Sequence, residues 1–130
     1  MIYNLVQLLR VQFPTVPIYA NTRAGAVEDR HLLVFESGGA EKPHILYNTS
    51  TYQVFARDVD APKARKLAFD VFHFLTSRFG LILPQATVDA VVYPQIQTAQ
   101  ISAIQVPYNL GQDDEGRTEY VCNYQIIWKR

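Results

Sequence analysis

Residues 118–129, TEYVCNYQIIWK, alternate between two kinds of side chain along their whole length. One set is aromatic or aliphatic with a single cysteine, whereas the other set is mainly polar. Because successive side chains of a strand point to opposite faces, this period of two predicts a β-strand with one buried face. The predicted buried face comprises Tyr120, Cys122, Tyr124, Ile126 and Trp128, and Val121 and Ile127 lie on the other face.

Two helices are predicted upstream of this strand. Apolar residues recur at helical spacing from Met1 to about Phe13, with Asn4 off the stripe, and Pro14 ends the run. The central helix is predicted from Asp60, a natural N-cap, to Gly80 as its C-terminal stop. The remaining predictions are a short extended segment at 15–21, strands at 31–39, 52–59 and 96–106, and connectors at 40–50 and 81–95.

This order of elements predicts an α+β fold for a single domain, residues 1–130. Strands joined by turns favour a mainly antiparallel β-sheet, with the N-terminal and central helices packed on one side. Charged residues make up only 18% of the chain and hydrophobic residues 48%, against about 25% charged residues in an ordinary soluble domain. We therefore expect either extensive burial or surfaces that another chain covers.

The charge balance narrows the class of partner. Twelve basic and twelve acidic side chains give a formal net charge of zero. Proteins that bind nucleic acid usually carry an excess of basic residues, so we do not expect this chain to bind nucleic acid tightly. Near-neutral charge also leaves little repulsion between copies. The N-terminus lacks the pattern of a signal peptide or a membrane span, so no membrane contact is expected.

The loop from Pro107 to Gly116 is the strongest candidate for a functional site. It is too long for a tight hairpin and carries three adjacent acids, Asp113, Asp114 and Glu115, before Gly116. A calcium loop needs alternating oxygen ligands, and a catalytic or magnesium site would need partners from elsewhere. We interpret the acids as a turn that satisfies backbone donors, with the glycine at positive φ, or as a subunit contact.

No other group of residues forms a recognisable catalytic or metal-binding motif. His31, His44 and His73 occur singly, without the paired spacing of metal ligands. Cys122, the one cysteine, lies on the predicted apolar face and is expected in the core. We predict no cofactor and no enzyme activity. The rival hypothesis is a small α+β enzyme or ligand-binding domain whose pocket gathers His31, Asp58 and the acids 113–115.

Three apolar residues are candidates for subunit contacts. Phe69 falls off the apolar stripe of the central helix, among polar residues. Val121 and Ile127 lie on the mixed face of the last strand. Large apolar side chains on a polar face are common at interfaces.

The end of the chain resembles the tail terminator proteins of long-tailed bacteriophages, a family of minor capsid or tail-completion proteins. The resemblance depends on the pattern P-x-x-L-G-x-D-x-x-G-R leading into a final strand, together with the two helices. The residues that carry it are Pro107, Leu110, Gly111, Asp113, Glu115, Gly116, Arg117, Tyr120, Asn123 and Tyr124.

The resemblance implies a structural protein of the virion neck, assembled in the bacterial host cytoplasm. Copies would form a hexameric ring that caps the tail tube and performs head-tail joining. Its neighbours would be the tail tube protein and a head-completion or connector protein, and DNA would pass through the lumen without specific binding. A head-completion protein of similar fold remains the alternative. The loop 110–117 would contact a neighbouring subunit or face the lumen, where its acids would repel DNA.

Overall fold

The computed structural model describes residues 1–21, 28–40 and 47–129, and these form two helices and ten strands. The connector predicted at 40–50 falls in part outside the described residues, as does His44. The elements in chain order are α1 (Ile2–Gln12), β1 (Ile18–Ala20), β2 (His31–Ala40), β3 (Tyr47–Asp58), α2 (Ala61–Leu75), β4 (Arg78–Phe79), β5 (Ile82–Leu83), β6 (Ala86–Val88), β7 (Val91–Tyr93), β8 (Ile96–Ala103), β9 (Tyr108–Gln112) and β10 (Thr118–Lys129).

The strand β10 lies inside the main sheet and has the predicted bounds. The strand order is β1-β2-β3-β10-β8-β4, and β9 pairs with β10 beyond the end of β8. The β1–β2 pair is parallel and the other pairs are antiparallel. The predicted α+β fold with a mainly antiparallel sheet is thus confirmed.

Both helices pack on one face of this sheet. The side chain of Asp60 accepts a hydrogen bond from the backbone N–H of Lys63, as an N-cap does, and the apolar stripe of α2 is buried. In α1, Ile2, Leu5, Val6 and Leu9 are buried. The apolar stripes of the two helices pack against every second residue of β10, among them Cys122, Tyr124 and Ile126, and together they form the main core.

The opposite face of the sheet carries a second, smaller core of Leu33, Phe55 and Val121, packed against Tyr19 and Phe35. The successive apolar residues Val54 and Phe55 are therefore both buried, one on each face. This core also corrects one prediction. Val121 is only 2% exposed, so it has almost no surface left for a contact with another subunit.

Several predicted boundaries were wrong. The central helix ends at Leu75 rather than Gly80, because Ser77 turns the chain with φ 55° and Arg78–Phe79 pairs with β8. The strand β2 continues through its glycines by way of a bulge. The connector 81–95 contains β5 and the hairpin β6–β7.

The loop predicted at 107–116 is in fact the end of a long hairpin. β8 and β9 run one after the other along the same edge of β10, and residues 104–107 form the irregularity between them. The backbone N–H of Ile104 still bonds the carbonyl of Asn123, at 2.8 Å. Residues 108–112 were predicted as loop because Pro107 and Gly111 are strand breakers, but pairing with β10 overrides that local preference.

Candidate functional site

Residues 113–117 connect β9 to β10. Asp113 and Arg117 pair through a backbone hydrogen bond, so the turn itself comprises residues 114–116, and both the backbone and the side chain of Asp113 stabilise it. The N–H of Asp113 donates to the carbonyl of Arg117 at 2.8 Å, and the N–H of Gly116 donates to the carbonyl of Asp113 at 3.1 Å. Asp113 Oδ1 accepts from the N–H groups of Glu115 and Arg117, both at 2.9 Å. Gly116 has φ 77°, as glycines do after such turns. The interpretation as a turn is confirmed for Asp113 and Gly116.

The second carboxylate oxygen of Asp113 belongs to a buried group of charges. Asp113 Oδ2 accepts from Arg117 Nε at 2.8 Å and lies 3.7 Å from Arg57 Nε, an ion-pair distance. Arg57 Nη2 donates to Glu119 Oε2 at 3.1 Å. The four side chains are between 6% and 13% exposed. We call Arg57, Asp113, Arg117 and Glu119 the ionic cluster; its formal charges cancel.

The register of the sheet brings this cluster together. His31 is opposite Arg57, Arg57 is opposite Glu119, and Glu119 is opposite Gly111, so one row crosses β2, β3, β10 and β9. Arg117 Nη1 donates to the carbonyl of Glu28 at 3.1 Å, and His31 Nδ1 lies 2.9 Å from the same oxygen. The cluster thus ties the end hairpin to the start of β2.

Burial, hydrogen bonds and neighbouring charges shift the pKa values of His31 and Asp113. Burial lowers the pKa of His31, and the cations of Arg117 and Arg57 lower it further, although the bond to the Glu28 carbonyl opposes them. Burial alone would raise the pKa of Asp113, but the hydrogen bonds from Arg117 and Glu115 outweigh it and lower this pKa. Asp113 is therefore an ionised structural acceptor, which makes it a weak base.

A depression of about 430 Å³ opens over the ionic cluster, with Gln112, Asp114 and Glu115 at its rim. Asp114 and Glu115 are exposed, so of the three adjacent acids only Asp113 is engaged in the cluster. Among residues 1–21, 28–40 and 47–129, no three His, Cys, Asp or Glu side chains lie close enough together to hold a metal ion.

The residues of the rival enzyme pocket are only partly brought together. His31 and Asp113 both lie beside Arg57, but His31 is fully buried. The carboxylate of Asp58 accepts the N–H of Asp60 at 2.9 Å and lies 4.0 Å from Arg30 Nε. Asp58 therefore helps to fix the entry to α2.

Cys122 is a core residue, as predicted. Its thiol donates to the carbonyl of Gln105 at 3.0 Å, and burial raises the pKa of the thiol. A raised pKa disfavours the thiolate that a nucleophilic cysteine needs.

The other two interface candidates, Phe69 and Ile127, are half-buried and so keep some surface for a partner. The guanidinium carbon of Arg65 lies 4.3 Å from the centre of the Phe69 ring, and the ring of Phe72 meets it edge-on at 6.0 Å. Their roles at an interface stay predictions.

The sequence predictions missed most of the exposed apolar surface. Of the eleven large apolar side chains that are exposed among the described residues, eight lie between positions 79 and 112. Of the 24 charged residues of the chain, only Asp89 falls in the same span. We call residues 79–112 the charge-poor segment. The near absence of charged residues in this segment is the sequence feature that could have predicted its exposed apolar surface. The eight are Phe79, Ile82, Val91, Val92, Ile104, Val106, Tyr108 and Leu110.

Comparison of the chain with models of known protein families and with curated protein sequences found no match. In the part of the chain that the structure describes, neither helix is long and apolar enough to cross a membrane. A functional assignment therefore depends on the exposed surface and on the loop motif of the end hairpin.

Proposed function

We propose that this chain is a structural subunit of a bacteriophage virion, a tail terminator whose copies form a hexameric ring. The ring would cap the tail tube and join the tail to the head connector. The observation that carries this proposal is the charge-poor segment, which exposes eight large apolar side chains.

Such a surface favours assembly for a simple physical reason. The exposed fractions of these side chains run from 46% for Tyr108 to 74% for Phe79. Single exposed apolar residues are ordinary, but eight of them in a sequence segment with one charge leave apolar surface that a partner can cover with little charge to desolvate. The zero net charge of the chain removes one barrier to contact between copies.

The residues of the loop motif divide into two groups that suit this role. Asp113, Gly116 and Arg117 hold the turn, whereas Leu110 is 50% exposed on the strand before it. The motif would thus build a rigid hairpin that presents an outer strand to a neighbour. The exposed acids Asp114 and Glu115 would face the lumen and repel DNA, which would pass without specific binding.

The partners of this ring would be the tail tube protein and a head-completion or connector protein. Its location would be the neck of the virion, after assembly in the bacterial host cytoplasm. A head-completion protein of similar fold would use the same kind of surface. Binding to purified tail tubes, compared with binding to DNA-filled heads, separates the two roles.

The self-assembly is tested with purified chain by light scattering after size exclusion and by negative-stain imaging. We expect particles of about six subunits with a central hole. The double variant Phe79→Lys with Val92→Lys should dissociate them while keeping the circular dichroism of the wild type. The control is Val11→Lys on α1, where the replaced residue is 66% exposed outside the charge-poor segment. A chain that stays monomeric and binds neither tubes nor heads would contradict the proposal.

A further inference from the structure

The strand β9 is an outer strand of the sheet along its whole length. Among the described residues its one strand partner is β10, and all five of its residues, 108–112, are exposed. On the same side of β10, the neighbouring strand β8 is covered by β4 and β5, which pair with residues 96–101. That cover ends before Ile104. An uncovered strand presents backbone N–H and C=O groups to water. In β9 the N–H of Gly111 donates to its own strand's Asn109 Oδ1 at 2.6 Å, so the other outward groups are the ones open to a partner.

The usual protection of such an edge is incomplete here, because the strand is short and bulged but carries no charge. Natural proteins discourage pairing at exposed edges with charged side chains, proline, bulges or very short strands. No charged residue occurs from Ala90 to Gln112. Pro107 precedes the strand and a bulge at Leu110, opposite the step from Glu119 to Tyr120, interrupts it, so a partner could pair with at most the five residues 108–112. Four large apolar side chains, Ile104, Val106, Tyr108 and Leu110, are exposed along this segment.

Both ends of this edge are held in place. At one end, the ionic cluster and the turn at Asp113 fix residues 112–117. At the other end, Pro107 is buried and the N–H of Ile104 bonds the carbonyl of Asn123. A pre-ordered strand loses little conformational entropy when a second strand joins it, so binding costs less.

We propose that β9 receives an extended strand from a second copy of this chain, so that the sheet continues from one subunit to the next. A second copy suits the edge because residues 108–112 are uncharged and the chain has no net charge, so net charge does not oppose contact between copies. Backbone hydrogen bonds would supply the pairing, and Tyr108 and Leu110 would pack on the incoming chain. The inference rests on the proposed function in so far as both need self-association.

The experiment compares amide hydrogen exchange in assembled and dissociated wild-type protein, followed on peptides that span residues 106–112. In an antiparallel edge strand, about every second N–H points away from its neighbour and exchanges quickly. Assembly by strand addition should slow those amides by about tenfold or more. The variant Leu110→Lys should weaken association by at least about tenfold, because it puts a charge into the new contact.

Val11→Lys is the matched control, since it makes the same apolar-to-charged change at a residue that is 66% exposed on α1. It should leave both association and exchange at β9 unchanged. Unfolding curves for both variants check that neither has lost its fold. If particles form but the amides of 108–112 exchange as fast as in the dissociated chain, strand addition is wrong and the proposed ring stands. If the wild-type chain never associates, both proposals are wrong.

Discussion

Arg117 Nε lies 2.8 Å from Asp113 Oδ2, and both side chains are more than 90% buried. The pair therefore stabilises the turn of the end hairpin, and neither charge is accessible to solvent. Removal of one partner of such a buried ion pair strongly lowers the free energy of unfolding, because the other charge is left buried and unpaired.

The variant Asp113→Asn tests how much the ion pair between Asp113 and Arg117 stabilises the protein. The amide can still accept from the turn, but Arg57 and Arg117 lose a carboxylate, so we expect the free energy of unfolding to fall by about 3 kcal/mol. The measurement is equilibrium unfolding in urea. Asp114→Asn, at the exposed neighbouring acid, should stay within about 0.5 kcal/mol of the wild type. Equal effects of the two variants would show that the turn is held by its backbone alone.

The lowered pKa of His31 predicts a loss of stability in acid. The unfolded chain binds a proton at this histidine below about pH 6.5, whereas the folded chain resists protonation to a lower pH. Because the unfolded state then binds more protons, the free energy of unfolding should decrease as pH falls from 7 to 5, by at most about 2 kcal/mol from this group.

His31→Gln removes the titrating group but keeps a donor for the carbonyl of Glu28. This variant should show a flatter dependence of stability on pH over that range, measured by urea unfolding at each pH. The control His73→Gln, at an exposed histidine on α2, should retain the wild-type dependence. An unchanged slope in His31→Gln would assign the acid sensitivity to other groups.

The elements with a strong local pattern could be predicted from the sequence. Strand 118–129 has the predicted bounds, and the apolar stripe of α2 is the predicted one, since period two and period 3.6 each specify one face. The predicted turn at Asp113 and Gly116 was also correct, because aspartate and glycine satisfy local backbone needs.

Features that depend on distant pairing could not be predicted. Arg57 meets Glu119 across 62 residues, and this contact exists only once β3 and β10 are in register. Val121 was predicted at an interface because it lies on the mixed face of its strand, yet Leu33 and Phe55 cover it from two other strands. The edge strand β9 depends on pairing with β10, and the local sequence does not predict it because Pro107 precedes the strand and Gly111 lies within it.

The side chain of Asn4 connects helix α1 to the hairpin β6–β7 through hydrogen bonds. The side chain was predicted to face away from the core, but it is fully buried. Its Nδ2 lies 2.9–3.1 Å from the carbonyl oxygens of Pro84, Tyr93 and Pro94. Asn4→Leu leaves these carbonyls without their donor, so stability should drop by about 2 kcal/mol.

Amide exchange provides the sharper measurement for Asn4→Leu, because residues 84–94 should exchange faster while β10 remains protected. Gln7→Leu is the control, since Gln7 lies on the same helix and is only half-buried. A uniform loss of protection over the whole chain would mean that Asn4 supports the core in general rather than this hairpin.

Gly39 is a position where a side chain cannot fit. It has φ 149°, and an added Cβ would clash with the backbone oxygen of Thr49 on the paired strand. Gly39→Ala must separate β2 from β3, and we expect a loss of about 2–4 kcal/mol. Gly38→Ala meets no atom within 4 Å at φ 97°, so it should cost only about 1 kcal/mol of backbone strain. Thermal unfolding distinguishes the two, and a similar cost for both would exclude the clash.

Phe69 combines a half-buried ring with a place on the polar side of α2, which makes it the helix residue best suited to meet a neighbour. Phe69→Ser should weaken association of the chain while the subunit stays folded, because the ring contacts Phe72 and Arg65 at the surface rather than the main core. Loss of the Arg65 contact itself should cost only about 0.5–1 kcal/mol. Sedimentation velocity follows association and circular dichroism follows folding. The control is Lys66→Ser, at an exposed position on the same side of α2. An unfolded Phe69→Ser subunit would instead place this ring among the residues that hold α2 on the sheet.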